Sequence, residues 1–298
     1  MSHIFFNTDG KLRSIWRFLL FFSLFWFLAI PIQTFLINII NSSNRNKPIL
    51  ILMQSLFFLG LALALGWFLG KILENQSFRA LGLYFDVECL KEISLGILLG
   101  GISLSFAVLT SIIFGNMRFT LNENLNASLV QSAGINLIVF LIAAASEESL
   151  FRGYMLQTLV RSNLCLAGTL ITSFLFASSH NLNPNSSHLS WVNTFIAGIW
   201  LAVAYLKTKK LWLSIAMHAS WNWFQSTLFG INVSGITEFS NYSVFQPISK
   251  GDELITGGDY GIEGGISCSI SLLLSILLIL IFPLSNKIEL IEKETSNQ

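Results

Sequence analysis

"GINLIVFLIAAASEESLFRGYMLQTLV", residues 134 to 160, decides how the rest of the chain is read. An uncharged apolar run reaches Ser146, then Glu147, Glu148 and Arg152 arrive together, and the apolar run resumes from Gly153 to Val160. The pattern predicts one long helix with a charged island inside it. An ionisable side chain at the middle of a membrane helix costs roughly 2.5 to 3.5 kcal/mol on insertion scales, so three of them would not collect on a surface facing lipid. They need partners or water. Glu148 and Arg152 are four apart, lie on one helical face and can neutralise each other. Glu147 is turned about 100° away from that face. The plainer alternative is a helix end at the cytoplasmic interface, where all three charges are simply hydrated.

The surrounding chain favours the membrane. Of 298 residues, 53% are hydrophobic and only 11% charged, against about 25% charged in an average soluble domain. No Asp, Glu, Lys or Arg occurs in 18–44, 48–70, 93–117, 124–146, 162–206, 211–237 or 264–286, and each gap holds a crossing helix of about 20 residues. The gap 162–206 holds two, divided by the Pro- and Asn-rich turn "NLNPNSSHLS" at 181–190. The expectation is an all-α polytopic membrane bundle of about eight transmembrane helices. Its first apolar run is too long for a signal-peptide core and reads as a retained helix.

Lys and Arg near span ends favour the cytoplasmic side. With the N-terminus inside, 13 of them fall on cytoplasmic segments, Arg152 included, and only Arg45, Lys47, Arg118 and Lys250 fall outside. Setting Arg152 aside leaves 12 against 4, so both termini are expected in the cytoplasm. The setting is an integral membrane protein of a bacterial inner (plasma) membrane or a thylakoid-type membrane. Formal charge is +1, and Cys89, Cys165 and Cys268 show no CxxC spacing, so neither a disulfide framework nor a thiolate metal site is suggested. The expected division is three N-terminal helices in 1–128, a catalytic core in 129–284 and a cytoplasmic tail in 285–298.

Histidines turn the island into a candidate site. His3 and His188 fall in polar surroundings and read as solvated. His180, in "FLFASSH", and His218, in "SIAMHASWNW", lie in charge-free segments, where an imidazole needs a hydrogen-bond partner. Phe176 shares a face with His180, and Asn222 shares one with His218, each pair four apart. Glu147 precedes the expected turn at Ser162 and Asn163 by 15 residues and His180 follows it by 17 or 18, so antiparallel helices bring them to similar depth. His218 stands only about 12 Å past Lys210 at helical rise. Tilt or a deep connection between 207 and 211 has to close that difference.

One carboxylate, two imidazoles and a carboxamide suit hydrolysis. Glu147 has no local partner and serves as general base toward water, His180 helps to hold that water, and His218 with Asn222 stabilises the oxyanion. Glu147, His180 and His218 equally make a donor set for a divalent metal such as zinc with water as fourth ligand. The two mechanisms stay open at this level. HExxH and a GxSG serine are absent.

EExxxR (Glu147, Glu148, Arg152), FxxxH (Phe176, His180) and HxxxN (His218, Asn222), in this order on successive apolar helices, resemble the motifs of the CAAX prenyl protease and bacteriocin-processing family of intramembrane endopeptidases. The resemblance is close over 130 to about 230, is extended weakly by the Gly-rich "GGDYGIEGG" before the last helix, and is one of helices only before residue 128. It implies peptide-bond hydrolysis, with Glu148 and Arg152 tuning the site and Phe176 packing it. The implied partners are membrane lipids and a peptide or protein substrate, membrane-anchored or lipidated in some relatives; nothing points to nucleic acid. Bacterial members serve in bacteriocin maturation or self-immunity, so CAAX processing is not transferred by default. A proton- or ion-coupled transporter and a non-catalytic immunity-type peptide binder are the competing readings. No inverted repeat supports the first, and a Glu147→Gln exchange separates the second. The aromatic residues, Trp212, Trp221 and Trp223 among them, read as packing or interfacial belt, and Lys207, Lys209 and Lys210 as topology determinants.

Overall fold

The computed structural model describes residues 2–7, 10–42, 47–123 and 126–282. Arg45 and the tail 285–298, with Lys287 and Lys293, lie outside the described residues, as does the side chain of His3. Eight principal helices follow one another: α1 (Ser14–Ser42), α2 (Lys47–Glu74), α3 (Cys89–Gly115), α4 (Ala127–Glu148), α5 (Cys165–Ser179), α6 (His188–Thr208), α7 (Trp212–Trp223) and α8 (Ile266–Ile281). α4 runs on through a π-helical stretch, Ser149–Met155, and a last turn, Leu156–Val160. A second π-helical stretch, Phe224–Leu228, extends α7.

All-α architecture and a membrane setting both hold. Among the described residues, five helices are long and apolar enough to cross a bilayer: Ser14–Leu36, Lys47–Glu74, Cys89–Gly115, Ala127–Val160 and His188–Thr208. The other three are shorter, with 15 residues in α5, 12 in α7 before its π extension and 16 in α8. The charge-free gaps overstated them, because those gaps also contain uncharged loop. Outward faces stay apolar: Phe27, Phe114, Leu166 and Ile281 are all widely exposed, as suits a protein whose solvent on that surface is hydrocarbon.

Inside, close contact between helices rests on small residues and hydroxyls, as it must where lipid supplies no hydrophobic drive for association. Gly96 and Gly100 bring α3 against α7; a Cβ at Gly96 would lie 2.6 Å from Ala216 Cβ, and one at Gly100 would collide with Ser220 Oγ and the Met217 carbonyl. Gly198 of α6 likewise admits Ser173 of α5. α8 is sewn to α3 and α6 by serines: Ser103 Oγ donates to Ser275 Oγ at 2.9 Å, Ser111 Oγ to Ser267 Oγ at 2.8 Å, and Trp200 Nε1 to Ser275 Oγ at 2.8 Å. α3, which precedes residue 129, is therefore a packing partner of the helix that carries His218.

Among the described residues the strands form one antiparallel pair, β1 (Arg118–Leu121) with β2 (Phe245–Ser249), in register Phe119 to Pro247 and Leu121 to Phe245. It covers the end of the bundle where α3 stops. At the opposite end, Lys210 and Leu211 of the α6–α7 connection are buried, and Lys210 Nζ reaches Asp86 at 2.7 Å and Glu92 at 3.1 Å. The connection that precedes His218 is thereby drawn in against the protein.

Candidate active site

Asn126 starts α4 by accepting, through its side chain, the amides of Ser128 and Leu129, which satisfies two of the donors that a helix leaves free at its start. The helix then carries Glu147 and Glu148 to its end, where the winding widens. π-helical turns replace the usual hydrogen-bond spacing and are found mostly at functional sites. This one holds Arg152, fully buried with Glu148, Nη1 donating to Oε1 at 3.1 Å. Arg152 Nη2 donates to the Gly198 carbonyl at 2.9 Å, a carbonyl within reach only because Gly198 lets α5 and α6 approach. The guanidinium lies 4.7 Å from the centre of the Phe176 ring, a cation–π contact that strengthens away from water. The intrahelical pair expected from sequence is present and has two further supports.

His218 meets this group from α7. Its Nδ1 lies 3.2 Å from Glu148 Oε1, and its Nε2 lies 3.9 Å from Glu147 Oε2. Because Glu148 is already paired to Arg152, it holds His218 in place while directing Nε2 toward Glu147. Glu147 is partly exposed, 32% at its side chain, and its Oε2 has no hydrogen-bond partner.

His180 does not sit within its helix, contrary to the sequence expectation of an apolar segment; it caps the end of α5. Its Nδ1 lies 2.8 Å from the Phe176 carbonyl. A carbonyl only accepts, so Nδ1 carries the proton and Nε2 is left as an acceptor. Phe176 also touches both imidazoles, with ring centres 4.8 Å from His180 and 6.0 Å from His218. Its role is therefore wider than packing: it is the common floor beneath Arg152, His180 and His218.

Glu147, Phe176, His180, His218 and Asn222 all line one cavity of about 400 Å³. Non-helical backbone at the end of short α5 forms part of its wall, the situation in which irregular backbone is tolerated at membrane depth. Within the cavity His180 makes no direct bond to Glu147 or His218. Among the described residues no group of three or more His, Cys, Asp or Glu side chains converges as a metal-holding cluster. As arranged, the trio Glu147, His180 and His218 does not fit a closed metal shell.

Two lining residues, Trp200 and Glu263, escaped the sequence reading. Trp221 is buried and packs edge-on against Trp200 at 5.8 Å, both on the cavity wall. Glu263, from the Gly-rich stretch, faces the same space and accepts the Ser234 amide at 2.6 Å and the Ser234 hydroxyl at 2.7 Å. Only the density of glycines around Glu263 hinted at it.

Residues 129–224, about a third of the chain, match the family model described as Rce1-like, type II CAAX prenyl endopeptidase Rce1-like. The matched segment holds every motif residue named above, from Glu147 to Asn222, and stops before Glu263. An "Uncharacterized 24.3 kDa protein" of Escherichia coli is 36% identical over 85 residues, which cover 28% of this chain and 38% of that protein. The chain thus spans well under half the length of that relative. No solved structure matches the chain.

Proposed function

We propose that this chain, an Rce1-like protein through its residues 129–224, is an intramembrane endopeptidase whose general base is Glu147. The observation that carries the reading is the convergence of Glu147, His180, His218 and Asn222, from three helices, on one cavity. Glu147 takes a proton from a water whose other hydrogen is accepted by His180 Nε2, and the resulting hydroxide attacks the scissile carbonyl carbon. The electron pair moves to the carbonyl oxygen, which is met by the Asn222 amide and by His218 Nε2–H when both nitrogens of that ring are protonated. Glu147 then delivers its proton to the leaving nitrogen as the C–N bond breaks. Glu148, Arg152 and Phe176 hold the imidazoles and touch no reacting atom.

The apolar wall, with Trp26, Phe58, Trp200 and Trp221, suits a substrate that approaches in or at the membrane. Lys and Arg placement favours both termini in the cytoplasm, and with that orientation alternation of the helices turns the part of the cavity lined by Asn183 and Ser234, beyond the end of α5, to the opposite face. Cys165, exposed at the far end of α5, serves as a marker. A membrane-impermeant maleimide added outside intact cells should label an Asn183→Cys protein and spare Cys165; labelling of Cys165 alone reverses the orientation.

The test of function is Glu147→Gln, assayed on a membrane-reconstituted peptide library. Wild type should cleave and the variant should not, while still retaining peptide. Cleavage by the variant ends the proposal. Chelation should leave the wild-type rate unaltered; loss restored by added zinc would replace the glutamate-only mechanism with a metal-dependent one.

A further inference from the structure

Residues 257–265 form a backbone built to deliver one side chain. Gly257, Gly258 and Gly261 all have positive φ, at 88°, 57° and 97°. At Gly261 and Gly265 a Cβ would run into the carbonyls of Asn232 and Ile255, so no other residue fits. Asn193 Nδ2, buried on α6, fixes the loop by donating to the carbonyls of Glu263 and Gly265, both at 2.8 Å. What this compaction brings to the cavity is the Glu263 carboxylate. Both Ser234 bonds fall on Oε2. Oε1 bonds to none of the described residues and is not sealed from solvent, so it is open to the cavity.

Among the described residues, no cationic group other than the imidazoles of His180 and His218 shares the cavity with it. The cavity lining holds Glu147 and Glu263 and, among the described residues, no lysine or arginine; Arg152 is committed to Glu148 behind the wall. A carboxylate anchored by one oxygen and offering the other, in a mostly apolar enclosure, is suited to a cationic donor, since charge-assisted hydrogen bonds are about twice as strong as neutral ones.

We propose that Glu263 is a specificity residue: it forms a subsite for a guanidinium or ammonium group, so that the preferred peptide carries an arginine or lysine beside the cleaved bond. This rests on the endopeptidase reading and adds a substrate class to it. The same charge balance works against a peptide that places a free terminal carboxylate in the cavity.

The experiment separates the two. Acetylated, amidated hexapeptides that differ only in arginine against norleucine, scanned through each position, are titrated by calorimetry into the Glu147→Gln protein. One position should favour arginine by about tenfold, or roughly 1.4 kcal/mol, and the doubly substituted E147Q/E263Q protein should lose that preference. Glu263→Lys should transfer it to a glutamate-containing peptide. In proteins that retain Glu147, E263Q should lower kcat/KM for the arginine peptide about tenfold more than for the norleucine peptide. Arginine preference that survives E263Q, or its absence from the E147Q protein, overturns the assignment of Glu263. Arginine-selective binding without hydrolysis by wild type overturns the endopeptidase reading and leaves the subsite standing.

Discussion

Two of the buried charge clusters among the described residues differ in what they leave unsatisfied. At one end Glu74 ties three helices together: Arg17 of α1 reaches its Oε1 at 3.1 Å, Arg161 reaches Oε2 at 2.9 Å, and Thr158 donates to Oε2 at 3.2 Å. Both carboxylate oxygens are occupied. Where α4 passes into the π-helical stretch, Glu148 has one arginine and one imidazole, and its neighbour Glu147 stands on a cavity wall with an unpartnered oxygen. Burial of charge is common to both. Saturation marks the first as a structural tie, whereas the open valence of the second marks it as a place for chemistry.

That contrast is sharpest in the response to substitution. Removing the base with Glu147→Gln should lower single-turnover cleavage by at least 10³-fold, within the ~10²–10⁴ that positioned acid–base groups supply, with little change in unfolding temperature. Arg152→Met leaves Glu148 buried without its cation, which costs about 3–5 kcal/mol, so folded yield should collapse. Arg152→Lys keeps the charge but loses the flat contact over Phe176 and the fork to Gly198, so the protein should fold and cleave slowly; full activity would show that Arg152 does not position His218. Glu74→Gln should do the reverse of Glu147→Gln: a stability loss of about 1–3 kcal/mol, seen in thermal unfolding, with cleavage per folded molecule retained. Equal damage to both quantities would erase the distinction between the clusters.

The smallest effect belongs to a third tie, Lys210 with Asp86 and Glu92. The hydrogen bond from Lys210 holds the Asp86 carboxyl below its ordinary 3.8. Burial would lower Lys210, but the carboxylates outweigh it and push it up to about 12. A depressed acid stabilises above its ordinary value and fades as pH falls through the shifted one; a raised base stabilises below 10.5 and fades as pH rises through about 12. Lys210→Met should therefore lower the unfolding temperature by a constant few degrees across neutral pH, about 2–4 °C per kcal/mol in a chain of this size. The gap should narrow as the medium is acidified below 3.8. A gap that stays fixed in acid would show that packing, not charge, makes the tie.

Much of the site was legible because its logic is local. Glu148 and Arg152 pair within one helix, and each histidine stands out against a charge-free segment. The number of helices followed from the same gaps, helped by the Pro- and Asn-rich turn after His180, although their lengths did not, since an uncharged loop such as 229–237 carries no mark that separates it from span. The position of His218 was out of reach, because the α6–α7 connection is drawn inward by Asp86 and Glu92, more than a hundred positions away. The π-helical stretch has no residue signature. Glu263 was hidden for the same reason as Glu74: its meaning depends on Ser234 and Asn193, partners that only the folded chain supplies.

The short helices carry a consequence for the surrounding lipid. At 1.5 Å per residue, the 15 residues of α5 and 16 of α8 span about 23 Å, against roughly 30 Å of hydrocarbon in a typical bilayer. Their outer faces, Leu166 and Phe174 on one and Leu277 and Ile281 on the other, are exposed, so the mismatch falls on acyl chains and not on neighbouring protein. Hydrocarbon beside these two helices must thin, at a cost of fractions of a kcal/mol per Å. The molecule thereby carries its own dimple, a shallow site in the leaflet where a peptide bond meets water sooner than it would elsewhere, and it partitions toward membranes of shorter acyl chains.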